Sequence, residues 1–189
     1  DDLVCGPGED KLLEICMGRP AASSASAPGF DYAPFAMDRY LSPAPVIPYS
    51  TAYGCYWRKC AFCPEKAEGA EYRPFAVENV IDDLFRLRSE IRPGLIHFTD
   101  NALSPRSLKA LIRRPPGIPW YGFARFTPHL ADPDFVRGLR QSGCVMLKLG
   151  IESGDQAVLD ALEKGISIKR VSRALKTIKA AGIATYAYL

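Results

Sequence analysis

The stretch YGCYWRKCAFCPEK, residues 53–66, places three of the chain's six cysteines in one short segment. The spacing is Cys55-x4-Cys60-x2-Cys63, and Pro64 follows directly. A disulfide, a zinc site and an iron–sulfur cluster all use close thiols, so the three interpretations compete. Cys60 and Cys63 are poorly placed to pair with each other, because so short a loop strains disulfide geometry.

The composition favours a globular protein in a reducing compartment. The chain has 189 residues, enough for one substantial core, and six cysteines are too few for a small disulfide scaffold. The net charge of +3 gives no argument for nucleic acid. No export signal and no apolar run of roughly 20 residues is visible, so we expect a cytoplasmic protein without a membrane segment.

Strand and helix patterns alternate along most of the chain. Short apolar segments predict strands at 46–51, 95–100, 119–126, 144–152 and 183–189. Helical periodicity and capping residues predict helices at 75–91, 105–113, 133–143, 155–164 and 168–181. Five such repeats predict an α/β fold with a parallel sheet, either doubly wound or a barrel. In both, the chemistry lies at the carboxyl ends of the strands, where the cysteine segment follows the first strand.

Three regions follow from composition. Residues 1–20 contain a predicted helix at 9–17, and residues 21–44 are rich in small residues and proline, which is typical of a linker. Residues 45–189 form the α/β region, which we expect to be incomplete at the carboxyl end because no helix follows the fifth strand.

Neither the zinc interpretation nor a plant-type [2Fe–2S] interpretation has an evident fourth ligand. Structural zinc uses four protein ligands, and a plant-type [2Fe–2S] cluster with the same spacing adds a fourth cysteine. Cys5 and Cys16 lie beyond the linker. Cys144 lies at the start of a strand, whereas the cysteine segment lies at the carboxyl ends of the strands. His97 and His129 have no helpful spacing. A zinc-stabilised structural or interaction module without catalysis remains the alternative.

The segment GCYWRKCAFCPE resembles the radical S-adenosylmethionine (SAM) enzymes. The family's three-cysteine loop follows the first strand of a (β/α)6 partial TIM barrel, and the x4, x2 spacing resembles cobalamin-domain-linked members. The resemblance implies a barrel truncated after its fifth strand. It also implies a [4Fe–4S] cluster on Cys55, Cys60 and Cys63 whose open iron binds SAM. Reductive cleavage of SAM to a 5′-deoxyadenosyl radical is the implied activity.

The resemblance also implies further SAM-binding residues. Phe62, before the third cysteine, corresponds to the aromatic that packs by the adenine. The segment IHFTDNALS points to Asp100 and Asn101 near the SAM methionine. The segments GFARF and LKLGIESGDQAVLDALEKG place Arg125 and Glu152 at the same rim.

The first residues add a weaker similarity. DDLVCGPGEDKLLEI is similar to the end of a cobalamin-binding domain, so residues 1–20 are expected to be the tail of an upstream domain. No Asp-x-His-x-x-Gly ligand motif is present. Cobalamin is therefore expected only in a longer parent protein. The implied partners are SAM, a flavodoxin- or ferredoxin-like electron donor and an unidentified substrate, and the excised core is expected to cleave SAM poorly.

Structural roles compete with these functional ones. Asp100 is also suited to capping the next turn or pairing with Arg125, and Glu152 to a surface loop. Lys148, which shares strand parity with Glu152, suits a SAM or substrate contact or a structural ion pair. The other cysteines are expected to be buried apolar fillers, and His97 a core histidine. Three aromatics are expected to pack the loop: Tyr53, Tyr56 and Trp57.

Overall fold

The computed structural model describes residues 9–18, 30–67, 69 and 71–189. Cys5 and the Gly-Pro-Gly turn lie outside the described residues, as does most of the predicted linker. Helix α1 (Glu9–Met17) is present as predicted. None of the helices in the described part of the chain has the length and apolar character of a membrane span.

Five parallel strands form one sheet. In their order across the sheet, they are β1 (Val46–Tyr49), β4 (Leu95–Phe98), β5 (Trp120–Ala124), β6 (Cys144–Gly150) and β7 (Ala184–Tyr188). Two short strands that lie between β1 and β4 in the chain, β2 (Ala52–Tyr53) and β3 (Arg73–Pro74), form a separate pair. Each new strand adds to the same side of the sheet, whereas a doubly wound sheet reverses its strand order. The order therefore confirms the α/β prediction and favours the partial barrel.

Helices connect the strands. They are α2 (Pro64–Ala67), α3 (Val77–Glu90), α4 (Pro105–Arg113), α5 (Pro133–Gln141), α6 (Gln156–Ala161) and α7 (Ile168–Ala180). Side-chain caps begin several of them, as the sequence predicted: Ser104 accepts from the Ser107 amide, and Asp155 accepts from the amides of Ala157 and Val158. The observed ends agree with the predicted ones to within a few residues.

The two faces of the sheet differ in burial. Alternate strand side chains facing the helices are fully buried, among them Ile47, Phe98, Trp120 and Leu147. The side chains between them on the other face are partly buried or exposed. This second face is the concave face of the open barrel.

Short elements around the cysteines were not predicted. Strands β2 (Ala52–Tyr53) and β3 (Arg73–Pro74) form a small antiparallel pair, and α2 follows the last cysteine directly. Residues 54–67, which run from the end of β2 through α2, are called the cysteine loop below. Isolated turns of 3₁₀ helix at Met37–Arg39 and Pro128–Ala131 were also missed.

Part of the predicted linker packs on the sheet. The ring of Phe30 lies edge-on to that of Tyr49 with centroids 4.9 Å apart. The carbonyl of Phe30 accepts from the Arg86 guanidinium at 3.0 Å. Residues 30–44 are therefore held against β1 and α3, and the domain boundary at residue 45 stays a prediction.

Candidate active site

A cavity of about 380 Å³ opens at the carboxyl ends of the strands. Its lining includes all three loop cysteines, Cys55, Cys60 and Cys63. It also includes four of the other predicted site residues: Phe62, Asn101, Arg125 and Glu152. The fold thus brings these predicted residues together around one space.

The three loop thiols surround a common space. Among the described residues, no three Cys, His, Asp or Glu side chains converge closely enough to hold one metal ion. Iron–sulfur clusters are held by cysteine thiolates on different irons, so their ligands need only surround a common space. The loop cysteines do so, and none of them is in a disulfide.

The cysteine loop is docked on the segment between α6 and α7. The Ala61 amide donates to the Leu162 carbonyl at 3.0 Å. The indole Nε1 of Trp57 donates to the Glu163 carbonyl at 3.2 Å. Lys66 forms an exposed ion pair with the Glu163 carboxylate at 2.9 Å. Three contacts thus connect the loop to residues about a hundred positions away in sequence.

Gly165 makes this docking possible. Its φ of +68° lies in the left-handed region, which glycine enters without steric cost. A Cβ atom built on Gly165 would lie 2.2 Å from a ring carbon of Trp57. The indole therefore occupies the space that a side chain would need.

Arg125, directly after β5, reaches the cysteine loop from the sheet. Its guanidinium lies over the Trp57 ring, 4.2 Å from the centroid. It donates to the Lys164 carbonyl and, at 3.6 Å, to the Cys60 Sγ atom. The alternative ion pair with Asp100 is not formed, because Asp100 has other partners.

Asp100 is buried and holds the chain after β1. Its carboxylate accepts from the Thr51 amide at 3.0 and 3.1 Å and from the Thr51 hydroxyl at 2.6 Å. The same hydroxyl lies 3.2 Å from the Ser107 hydroxyl at the start of α4. Burial raises the pKa of Asp100, although the Thr51 hydrogen bonds oppose that shift. Asp100 is not among the cavity-lining residues, and its contacts are structural.

Glu152 pairs with a lysine that the sequence analysis did not select. The Lys164 Nζ atom lies 2.5 Å from a Glu152 carboxylate oxygen, and Lys164 is only 7% exposed. The same ammonium lies over the Phe62 ring, 5.5 Å from its centroid. Glu152 has a φ of +68°, which is uncommon outside glycine and clusters at functional sites. An opposite-charge pair thus forms one wall of the cavity.

A second missed residue is Glu65. Its Oε1 atom accepts from the Asn101 amide at 2.7 Å. Its Oε2 atom is buried and has no hydrogen-bond partner among the described residues. Glu65 lies two positions after Cys63, a signal that could have identified it.

Lys148 lies on the concave face and is not among the residues that line the cavity. Its ammonium lies 4.5 Å from the Phe123 ring centroid, and no carboxylate pairs with it among the described residues. The predicted structural ion pair is therefore not formed.

His97 is partly buried and stacks on Tyr121, with ring centroids 4.4 Å apart. Burial and the Lys148 charge together lower the pKa of His97.

The other two described cysteines differ in burial. Cys144 is fully buried, and burial raises the pKa of its thiol to about 12, so the filler prediction is confirmed. The same prediction for Cys16 is wrong, because Cys16 is exposed on α1.

Tyr53 packs edge-on against Phe75, with ring centroids 5.2 Å apart, as a loop-packing residue would. Tyr56 packs in the same way against Tyr72 at 6.2 Å.

A family comparison covers most of the chain. Residues 49–189 match the model of the Radical SAM superfamily, and the chain belongs to that family. The matched region begins at the end of β1 and contains every cysteine of the loop.

Curated relatives share this core. An anaerobic magnesium-protoporphyrin IX monomethyl ester cyclase of Rubrivivax gelatinosus is 28% identical, with 72% of this chain and 25% of the relative covered. An uncharacterised methyltransferase of Pyrococcus horikoshii is also 28% identical, with 82% of this chain and 35% of the relative covered. The chain thus spans about a third or less of the length of these relatives.

Solved structures confirm the fold. The radical SAM methyltransferase TsrM of Kitasatospora setae, with tryptophan and a SAM analogue bound, superposes with a TM-score of 0.68. It is 21% identical, with 97% of this chain and 44% of that chain covered. The cobalamin-dependent radical SAM enzyme OxsB gives a TM-score of 0.59 at 22% identity, with 74% of this chain and 23% of that chain covered.

We expect Gly165→Ala to loosen the cysteine loop. The new Cβ would displace Trp57, so bound iron after anaerobic reconstitution should fall. Gly182→Ala is the matched control, because Gly182 has a similar φ of +71° but no atom within 4 Å of an added Cβ. Both variants carry the left-handed backbone cost of roughly 1–2 kcal/mol. Equal iron content in the two variants would contradict the docking role.

We expect Asp100→Ala to lower the free energy of unfolding by about 1–3 kcal/mol, because the buried Thr51 amide loses its acceptor. Asp82→Ala is the control, since Asp82 forms an exposed pair with Arg114 and should change stability by about 1 kcal/mol or less. Denaturant unfolding followed by circular dichroism measures both. Unchanged stability with weaker SAM binding would instead support the predicted SAM contact of Asp100.

Proposed function

We propose that this chain is a radical SAM catalytic core that binds a [4Fe–4S] cluster through Cys55, Cys60 and Cys63. The observation that carries the proposal is the shared cavity, which the three thiols line together with Phe62 and Glu152. Family membership supports the same chemistry. When bound, the reduced cluster would supply the electron that cleaves the SAM sulfonium to methionine and a 5′-deoxyadenosyl radical.

The cavity charges suit the amino-acid end of SAM. That end carries an ammonium and a carboxylate, and the Glu152–Lys164 pair offers one charge of each sign. Charge-assisted hydrogen bonds are the stronger kind, so this pair can orient SAM at a fixed distance from the thiols. Asn101, held by Glu65, adds a further polar group to the cavity lining.

Apolar walls complete the site. Phe62 is half exposed at the cavity, where it offers a flat face for the adenine. Phe126 is almost fully buried and also lines the cavity. Such walls exclude water, which protects reactive species from side reactions.

The substrate and the other partners are proposed from similar proteins that are longer than this chain. OxsB is cobalamin-dependent, and the two relatives described above are a cyclase and a methyltransferase. We propose that residues 1–20 are the tail of an upstream cobalamin-binding domain and that the core begins near residue 45. A flavodoxin- or ferredoxin-like protein would supply the electron. The zinc-module alternative is less well supported, because structural zinc sites use four Cys or His ligands, and Cys55, Cys60 and Cys63 are the only Cys or His side chains among the residues that line the described cavity.

Replacing Cys55, Cys60 or Cys63 singly by Ala should abolish the cluster. Iron and sulfide content, with the visible absorption of the anaerobically reconstituted chain, measures this. Cys16→Ala and Cys144→Ala are the controls and should retain wild-type content. Cluster loss from Cys144→Ala with folding intact would overturn the three-ligand assignment. A colourless wild-type chain holding one zinc ion would support the alternative function.

Glu152→Gln should weaken SAM binding about tenfold to a hundredfold, equivalent to roughly 1.5–3 kcal/mol. Calorimetric titration of SAM into the anaerobically reconstituted chain measures the effect. The cluster should form normally, because Glu152 is not a proposed ligand.

Because Glu152 pairs with Lys164, the effect of Glu152→Gln is also measured in a chain that lacks this lysine. In a Lys164→Met chain, Glu152→Gln should still weaken SAM binding if the carboxylate contacts SAM directly. No further loss in that background would show that Glu152 acts only by holding Lys164. Wild-type affinity in both backgrounds would return Glu152 to a structural loop role.

A further inference from the structure

Arg125 makes three contacts that fix its guanidinium beside a proposed cluster ligand. One N–H group points to the Cys60 Sγ atom at 3.6 Å, within the range for a hydrogen bond to sulfur. Another donates to the Lys164 main-chain carbonyl. The guanidinium face lies on Trp57, 4.2 Å from the ring centroid. The three contacts use the donors and the planar face of the same group.

The supports of Arg125 are themselves held in place. The Trp57 indole donates to the Glu163 carbonyl at 3.2 Å, and Gly165 leaves room for its ring. The Lys164 carbonyl belongs to the same docked segment. The guanidinium is therefore aimed at Cys60 by main-chain atoms and a packed ring.

The charge of Arg125 is not neutralised by a carboxylate. Among the described residues, no Asp or Glu pairs with Arg125, although ion pairs form at Lys66 and Lys164 nearby. A full positive charge thus lies next to the sulfur of Cys60, which is 8% exposed. Both a hydrogen bond to sulfur and a nearby cation favour the more negative, reduced form of an iron–sulfur cluster.

We infer that Arg125 raises the reduction potential of the cluster through its hydrogen bond to Cys60, and so assists reduction by the electron donor. This role rests on the proposed function and differs from a contact with SAM. It makes Arg125 a positioning and tuning residue, since it acts through the cluster ligand.

The test is a potentiometric titration of the anaerobically reconstituted chain without SAM, followed by electron paramagnetic resonance of the reduced cluster. Arg125→Met should shift the midpoint potential to a more negative value. Arg125→Lys should give a smaller shift in the same direction, because lysine keeps the charge but loses the planar fork. Lys66→Met is the matched control: it removes a charge that does not touch sulfur and is exposed to solvent, so it should shift the potential less than Arg125→Met does.

The outcomes separate the two proposals. A wild-type potential in Arg125→Met, or an equal shift in Lys66→Met, would overturn the tuning role. If Arg125→Met does not retain its cluster, Arg125→Lys decides, and a wild-type potential in that variant overturns the inference. A wild-type chain without any cluster signal would contradict the proposed function itself. Weaker SAM binding with an unchanged potential would assign Arg125 to SAM instead.

Discussion

Parallel pairing of the strands in one sequential order is the constraint on which the site depends. Because β1, β4, β5, β6 and β7 all run in the same direction, their carboxyl ends meet at one edge of the sheet. The cysteine loop follows β1, Arg125 follows β5 and Glu152 follows β6. The site is therefore built from segments that are far apart in the chain, and no single segment contains it.

The cysteine loop has little regular structure and is held by tertiary contacts. Trp57, Ala61 and Lys66 connect it to the segment between α6 and α7. Gly165 leaves room for the Trp57 ring where the loop docks. The buried Thr51–Asp100 hydrogen bonds hold the chain before the loop, just after β1. Thiols on a loop fixed in this way are preorganised for a cluster, because less backbone freedom is lost when ligands bind.

The charged residues at the strand ends have different environments and therefore different roles. Asp100 is buried and accepts hydrogen bonds from the chain after β1, so its contacts are structural. Glu152 shares its charge with Lys164 at the cavity wall. Arg125 keeps an unneutralised charge beside Cys60. Position at the end of a strand alone does not distinguish these roles, since hydrogen-bond partners and burial decide them.

The sequence alone determined the strand–helix repeats and the helix caps, because these depend on local periodicity. It also identified the family, because the short spacing of the three-cysteine segment is typical of it. It also selected Phe62, Arg125 and Glu152, which the structure brings to one cavity. Only the tertiary structure separated Asp100 from that cavity and added Lys164 to it. Lys164 reaches Glu152 because the segment after α6 folds back over the sheet edge, and a non-local contact of this kind leaves no periodic signal in the sequence.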